Sequence, residues 1–188
     1  NSNPALILMD IQKGFDKLVH WGGNRNNPNA EQVCKKILTL WREKKLPIFH
    51  VRHNSQDPNS ELHANKPGFA FKDEVIPFEN EVIITKNVNS AFIGTELNAM
   101  LNEQKIKTVV IIGLTTNHCV STTARMAGNM DYQTIVISDA TATFDTLGIN
   151  NQLFDAETIH QTALASLHNE FAQVFDSNKL FYKIKNII

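Results

Sequence analysis

Cys119 is the side chain of this sequence best placed to act as a nucleophile. It follows a strand-like apolar run, residues 108–113, and a short polar turn, and it opens a stretch with a helical pattern. A thiol at a helix start meets free backbone N–H groups and the positive end of the helix dipole, and both favour the reactive thiolate. The alternative interpretation is a buried structural cysteine, which is a common role for this residue.

Two further reactive side chains stand at the ends of predicted strands. Asp10 ends the apolar run 5–10, and Lys86 follows the run 81–85. Because ligands of open parallel α/β sheets bind at the carboxyl ends of the strands, we expect these side chains to meet Cys119 in one crevice. There the carboxylate can accept the thiol proton and the ammonium can hold the resulting charges. Taken singly, either residue would be interpreted as a solvated group.

The elements that position these side chains follow from hydrophobic periodicity. Strand-like runs occupy residues 5–10, 47–51, 81–85, 108–113 and 133–138, with a weaker run at 180–184. Apolar residues at helical spacing predict helices over 29–42, 95–101 and 155–171. This alternation predicts an α/β fold with a parallel sheet and right-handed crossovers. Residues 52–80 contain three prolines and no clear element, so we expect this long loop to cover the pocket.

The chain resembles the isochorismatase-like cysteine hydrolase superfamily, which includes nicotinamidases and hydrolases of carbamoyl and ureido compounds. The matching segments are residues 8–12, 86–97, 112–120 and 136–141, in the family's order. The third of them, Ile-Gly-Leu-Thr-Thr-Asn-His-Cys-Val, is the most specific. The resemblance implies a three-layer Rossmann-like fold with a mostly parallel six-stranded sheet in the order 3-2-1-4-5-6. It also implies one hydrolase domain over residues 1–188.

By the same resemblance, Asp10, Lys86 and Cys119 form a catalytic triad, and the peptide between Leu114 and Thr115 is cis. The implied reaction is hydrolysis of a small amide, ureido or carbamoyl compound through a thioester. Asp10 takes the thiol proton, and Lys86 lowers the pKa of both partners by its positive charge. Backbone N–H groups of Thr115 and Cys119 form the oxyanion hole. No cofactor is required.

Further residues are candidates for contact with the substrate. Gln12 stands two residues beyond Asp10, on the same side of an extended chain, and a plain surface amide is an equal alternative. Arg52 could bind a substrate carboxylate, although a solvated arginine is the commoner role. The remaining candidates, for which core or turn packing is the alternative, are Phe15, Trp21, Phe92 and Asn117. The adjacent His118 is rejected as the base, because neighbouring residues at a helix start point in different directions.

A metal ion is not expected. Nicotinamidases of the superfamily carry an Asp-x-His metal motif after the second strand, whereas this chain has Ile48 two residues before His50. His50 and His53 are weak candidates for a zinc site, together with carboxylate and histidine side chains of the following loop. The missing carboxylate also argues against nicotinamidase activity.

Composition excludes several other classes of function. The 188 residues are 42% hydrophobic and 20% charged, with a net charge of −1, so neither nucleic acid nor an anionic membrane is an expected partner. The apolar runs are too short for a membrane span, and the first residues do not resemble a signal peptide. Cys34 and Cys119 do not suggest a disulfide framework, which fits the cytoplasm. A small-molecule substrate and a homodimer or homotetramer are the expected partners.

Three other functions compete with amide hydrolysis. Hydrolysis of the vinyl ether of isochorismate does not need the thiol, so the intact set of reactive residues argues against it. A non-catalytic binding protein on the same fold would be expected to have lost one of them. A redox-sensing thiol protein would need a resolving cysteine, and Cys34 lies on a separate predicted helix.

Overall fold

Six runs of apolar residues form one parallel sheet in the computed structural model, which describes residues 3–187. Across the sheet the strands are β3 (Val82–Lys86), β2 (Ile48–His53), β1 (Ala5–Met9), β4 (Thr108–Leu114), β5 (Gln133–Ala142) and β8 (Gln173–Phe175). A separate two-stranded hairpin consists of β6 (Thr146–Leu147) and β7 (Leu153–Phe154). The predicted fold class and strand order are confirmed.

Helices cover both faces of this sheet. They are α2 (Ala30–Glu43), α3 (Leu97–Glu103), α4 (Ser121–Asn129), α5 (Ala156–Leu167) and α6 (Ser177–Ile187), whereas the single-turn α1 (Leu18–Trp21) has no buried residue. Every residue of β1 is buried, because alternate side chains enter different layers. Ile7 and Met9 pack in a cluster with α3, α4 and α5. Leu6 and Leu8 pack on the opposite face with α2 and α6.

The predicted sixth strand at residues 180–184 is wrong, because this segment belongs to α6. Its two most buried side chains, Leu180 and Ile184, are four residues apart and therefore lie on one face of a helix. The sixth strand is the short β8, which pairs with β5. Asp139 fixes the start of α6 by accepting hydrogen bonds from the N–H and hydroxyl of Ser177, at 2.8 and 2.6 Å.

The sheet changes its winding direction at β1, and this creates the crevice predicted for the reactive side chains. β1 pairs with β2 on one side and with β4 on the other. Gly113, at the end of β4, has φ of 121° opposite Met9. A Cβ atom at Gly113 would lie 2.0 Å from the Met9 carbonyl oxygen. Glycine therefore lets the two strand ends that flank the crevice approach each other.

β5 continues beyond its predicted end at residue 138. Its register with β4 shifts, so that Ile111 pairs with Val136 while Gly113 pairs with Thr141. The extra residues form an irregularity of the bulge type, which redirects the end of a strand. As a consequence the residues after β5 reach the crevice.

Residues 54–81 connect β2 to β3 as a long loop with two short 3-10 turns, Pro67–Phe69 and Asp73–Val75. Ser55, Ser60 and Leu62 of this loop line the cavity beside Cys119, which we call the main cavity for its position at the reactive residues, so the prediction that the loop covers the pocket is confirmed. Within residues 3–187, no helix has the length and apolar character needed to cross a bilayer.

Candidate active site

Asp10, Lys86 and Cys119 come together at the carboxyl edge of the sheet, and we call these three residues the reactive cluster. The Lys86 ammonium donates to Asp10 Oδ2 at 2.8 Å and to Cys119 Sγ at 3.2 Å. The Asp10 and Lys86 side chains are fully buried. Removing two opposite charges from water is costly unless they pair, and their short contact meets that condition.

Asp10 has one carboxylate oxygen engaged and one free. Oδ2 accepts the hydrogen bond from Lys86, whereas Oδ1 is buried and has no hydrogen-bond partner. The residue follows β1 with a positive φ of 49°, a conformation that non-glycine residues adopt rarely. A carboxylate oxygen of Asp10 lies within 4.8 Å of the Cys119 sulfur. The carboxylate is thus close to the thiol and has one oxygen, Oδ1, without a hydrogen-bond donor.

Cys119 lies within a π-helical turn, Thr116–Val120, directly before α4. Its side chain lines the main cavity although the residue is only 9% exposed. Burial raises the pKa of the Cys119 thiol, and the Asp10 carboxylate raises it further, while Lys86 acts to lower it. The net direction of these effects on the pKa of the Cys119 thiol is upward. This direction is opposite to the lowering expected from the helix start and from Lys86, and it agrees with the predicted need for Asp10 to take the thiol proton.

The main cavity opens beside Cys119 and has a volume of about 410 Å³. Phe15, Trp21 and Phe144 form one side of it, which we call the aromatic wall. The Phe15 and Trp21 rings are 4.6 Å apart, and the Phe15 and Phe144 rings are stacked 6.2 Å apart. Polar residues complete the lining, namely His53, Ser55, Ser60, Asn89, Thr115, His118, Thr143 and Thr146. This combination suits a small, flat molecule with a few polar atoms.

The residues implied for the oxyanion hole lie at the cavity. The Leu114–Thr115 peptide is cis, as the resemblance implied. Thr115 lines the cavity with Cys119, and its carbonyl oxygen accepts backbone hydrogen bonds from His118 and Val120, both at 3.2 Å. Their use as an oxyanion hole stays a prediction.

Two predicted substrate contacts, Phe15 and Trp21, line the cavity, whereas Gln12 does not. Gln12 is fully buried, and its amide nitrogen donates to the carbonyls of His53 and Phe69 at 3.1 and 3.0 Å. Its amide oxygen accepts from the His53 N–H at 2.8 Å. The side chain thus joins the end of β2 to the long loop, and the expected contact with a substrate or with Asp10 is not found.

Arg52, Phe92 and Asn117 also lie outside the cavity lining. The Arg52 guanidinium stacks 4.4 Å from the centre of the Phe69 ring and donates to the Thr85 hydroxyl. Phe92 packs against the hydrophobic core. Asn117 accepts a hydrogen bond from Thr143, which does line the cavity, so Asn117 stabilises the wall from behind.

The two weak metal candidates lie apart. His50 points into the opposite layer, where its Nε2 is 2.8 Å from Glu81. His53 instead faces the reactive cluster, and its Nδ1 is 3.0 Å from the Lys86 ammonium. The two histidines are three positions apart along β2, an odd spacing, so they face opposite sides of the sheet and cannot share one ion. Among the described residues, the group with metal-ligand geometry is Asp10, His53 and Cys119.

Several cavity residues were not predicted from the sequence. Asn89 accepts a long 3.7 Å hydrogen bond from the Cys119 thiol, and it follows Lys86 within the matching segment 86–97. Its position three residues after the predicted lysine was the available signal. Thr143 and Phe144 reach the cavity because β5 is longer than predicted, and nothing in their local sequence indicated this.

Comparisons with known proteins agree with this arrangement. A family model described as "Isochorismatase domain" matches residues 4–179. The chain is 51% identical to the isochorismatase family protein YrdC of Bacillus subtilis, over 94% of this chain and 93% of that protein. A crystal structure of an isochorismatase family protein from Chromobacterium violaceum is 38% identical, with a TM-score of 0.95 and coverage of 100% of this chain and 96% of the other.

More distant relatives have named activities. Nicotinamidase 3 of Arabidopsis thaliana is 28% identical, over 94% of this chain and 86% of that enzyme. Maleamate amidohydrolase of Pseudomonas putida is 26% identical, over 72% of this chain and 70% of that enzyme.

Proposed function

Because this chain belongs to the isochorismatase family of hydrolases, we propose that it is a cysteine-dependent hydrolase of a small amide, ureido or carbamoyl compound. The observation that carries the proposal is the reactive cluster: a thiol at a cavity, a buried carboxylate with a free oxygen, and an ammonium that touches both. An activated thiol needs an adjacent base and a fixed positive charge, and these residue types supply both.

The first half of the reaction consumes the amide. Asp10 Oδ1 takes the proton of Cys119, and the sulfur forms a bond with the carbonyl carbon. The resulting oxyanion is bound by the backbone N–H groups at Thr115 and Cys119. The C–N bond then breaks, and the departing nitrogen takes the proton from Asp10. A thioester on Cys119 remains.

The second half restores the enzyme. Asp10 takes a proton from water, whose oxygen attacks the thioester carbon. The C–S bond breaks, the acid leaves, and the sulfur recovers its proton from Asp10. Lys86 remains positively charged throughout, and it stabilises in turn the carboxylate and the thiolate.

The cavity lining supports the proposed class of substrate. The aromatic wall suits a planar group, and neutral polar side chains are available for an amide or ureido head. No arginine or lysine is among the described lining residues. A neutral or weakly charged compound therefore fits better than one with several negative charges.

Nicotinamide hydrolysis is the second candidate, and the aromatic wall favours it. Nicotinamide is a flat ring with a primary amide, and the named relative from Arabidopsis thaliana is a nicotinamidase. The Ile48 that replaces the usual carboxylate before His50 speaks against it.

The test is a panel of small amides, ureido compounds, carbamoyl compounds and nicotinamide, assayed for release of ammonia or amine. The wild type should hydrolyse at least one of them, and Cys119→Ala should hydrolyse none. Cys34→Ala is the matched control, since this second thiol lies in another layer. Turnover of isochorismate, esters or peptides alone would contradict the proposed substrate class.

We also propose a cytoplasmic location and a homodimer or homotetramer. Both cysteines of the described chain are free thiols, which fits a reducing compartment. Fractionation of the source cells and sedimentation of the purified protein would test these two statements.

A further inference from the structure

His53 contacts the reactive cluster through a feature of the sheet. It is the last residue of β2, and the parallel register pairs it directly with Lys86, the last residue of β3. Paired residues of adjacent strands lie about 5 Å apart and point to the same face. β2 lies between β3 and β1, so the Lys86 side chain must pass beside His53 to reach Asp10.

The Lys86 ammonium has three N–H bonds and three acceptors. They are Asp10 Oδ2 at 2.8 Å, His53 Nδ1 at 3.0 Å and Cys119 Sγ at 3.2 Å. A lysine ammonium is a donor only, so His53 must offer an unprotonated Nδ1 and keep its hydrogen on Nε2. Since Lys86 is 1% exposed, water is not available to replace any of these acceptors.

The surroundings of His53 keep it in this neutral form. Burial lowers the pKa of His53, and the positive charge of Lys86 lowers it further, whereas Asp10 acts in the opposite direction. Gln12 holds the His53 backbone by accepting from its N–H at 2.8 Å and donating to its carbonyl at 3.1 Å. His53 is therefore held at its backbone by Gln12 and at its ring by Lys86.

We propose that His53 is a positioning residue of the active site, the third acceptor that holds the Lys86 ammonium between Asp10 and Cys119. This inference rests on the proposed function. Without His53, one buried N–H of Lys86 loses its partner, and the ammonium is no longer held in this orientation between the thiol and the carboxylate.

The position of Lys86 also explains why a carboxylate, an imidazole and a thiol, all common metal ligands, lie close together at this site. The ligand atoms of Asp10, His53 and Cys119 lie within 4.8 Å of one another. Their common centre is filled by Lys86 Nζ, at 2.8–3.2 Å from each. The Lys86 ammonium thus occupies the position that a zinc ion would take between these three ligands.

The first test compares two substitutions of equal polarity. In His53→Asn the amide oxygen can occupy the place of Nδ1, whereas in His53→Gln it reaches the place of Nε2 and leaves Lys86 without its acceptor. The measurement is the rate of iodoacetamide labelling of Cys119 against pH. In His53→Gln we expect labelling at neutral pH to slow by about tenfold or more, with a midpoint shifted to higher pH, because the thiolate loses its fixed counter-charge.

His53→Asn should keep a rate and midpoint nearer to those of the wild type. Equal profiles for both variants and the wild type would overturn the proposal. Neither measurement uses an amide substrate, so this outcome is distinct from a failure of the proposed function. Near-ultraviolet circular dichroism of each variant checks that the fold is retained.

The second test removes the ammonium and uses Co²⁺ as a probe. Lys86→Ala should bind Co²⁺ with the near-ultraviolet charge-transfer band of a cobalt–thiolate bond, because Asp10, His53 and Cys119 then surround an empty centre. The wild type and Lys86→Ala/His53→Gln should lack this band, and Lys86→Ala/Cys34→Ala should keep it. A band in the wild type, an undiminished band without His53, or none in Lys86→Ala would each overturn the proposal.

Discussion

The reactivity of Cys119 depends on a balance between burial and two neighbouring charges. Burial and Asp10 raise the pKa of the thiol, and Lys86 opposes them. In the proposed mechanism the thiolate therefore forms during the reaction, when Asp10 takes the proton of Cys119. This differs from thiols whose pKa is lowered by a helix start alone, and the proposed mechanism therefore depends on the free oxygen of Asp10.

Replacement of Asp10 by asparagine should consequently be as damaging as loss of the thiol. Asn retains the size of the side chain and an acceptor for Lys86, but it cannot take a proton from Cys119. We expect kcat for the hydrolysed amide to fall by about 100-fold or more in Asp10→Asn. Steady-state kinetics measure this change, and Asp57→Asn in the long loop is a control for general loss of charge. Retention of more than about a tenth of the activity would contradict the role of Asp10 as base.

Activity should also survive removal of metal ions. His50 is directed to Glu81 in the other layer, and the centre of the remaining ligand group is occupied by the Lys86 ammonium. Dialysis against EDTA should leave kcat/KM unchanged. Loss of turnover that zinc or iron restores would disprove this and would favour a nicotinamidase of the metal-dependent type.

For individual residues, the sequence indicated which side chains are reactive, but it did not indicate the direction in which each side chain points. The types and strand-end positions of Asp10, Lys86 and Cys119 were sufficient to expect their meeting. The opposite orientations of His50 and His53 could have been deduced from strand alternation. In contrast, the pairing of His53 with Lys86 depends on the register between β2 and β3, which the sequence of neither strand encodes by itself.

The approach of β4 to β1 is the element-scale feature on which the site depends. Gly113→Ala would place a methyl group 2.0 Å from the Met9 carbonyl oxygen, at a φ of 121°. We expect a loss of about 3 kcal/mol or more in the free energy of unfolding, measured by urea denaturation. Gly23→Ala is a partial control, because its φ is also positive at 90° but its Cβ meets nothing within 4 Å. Equal stabilities for the two variants would contradict the steric argument.

The long loop is held to α2 by a buried ion cluster around Glu31. The Glu31 carboxylate accepts from Arg25 at 2.7 Å and from Lys72, beyond the first 3-10 turn of the loop, at 2.6 Å. Burial acts to raise the pKa of Glu31, but Arg25 and Lys72 outweigh it and hold the pKa at about 2, below the ordinary 4.5. The stabilisation is therefore complete above pH 4.5 and is lost as the pH falls from 4.5 towards 2.

Glu31→Gln should remove this pH dependence together with part of the stability at neutral pH. The pKa difference corresponds to a loss on the order of 3 kcal/mol. Urea unfolding at pH 7, 4.5 and 3 measures it, with the exposed Glu43→Gln as the control. An unchanged decline of stability between pH 4.5 and 3 in Glu31→Gln would show that other groups are responsible.

Helices and strands were predicted correctly where the hydrophobic periodicity was strong. They were predicted poorly where the segment was too short to distinguish a helix from a strand, or where the end of a strand had to be located. The strands β1 to β5 and the helix α2 were predicted because each contains an apolar run with one clear periodicity. The segment 180–184 was short enough to fit either period, and Leu180 and Ile184 in fact follow the helical one. The extension of β5 arises from a register shift against β4, a non-local feature without a local signal.

At the scale of the whole molecule, the expected homodimer or homotetramer stays a prediction. Exposed apolar side chains occur on α1, at Val19, and on the hairpin formed by β6 and β7, at Leu147, Ile149 and Leu153. Large exposed apolar side chains close together often mark contacts between proteins. If these residues contribute to self-association, Ile149→Asp should shift sedimentation towards the monomer, whereas Met130→Asp should not. A monomeric wild type at micromolar concentration would contradict the expected assembly.

The two tryptophans of the chain divide between the cavity and the core. Trp21 belongs to the aromatic wall and donates from its indole nitrogen to the Gly14 carbonyl at 2.8 Å. Trp41 is fully buried on α2, in the layer on the far side of the sheet. A molecule that enters the cavity should therefore change the fluorescence of Trp21 and leave that of Trp41 as an internal standard. In Trp21→Phe the remaining emission should be insensitive to acylation of Cys119, which gives the protein its own optical record of each turnover.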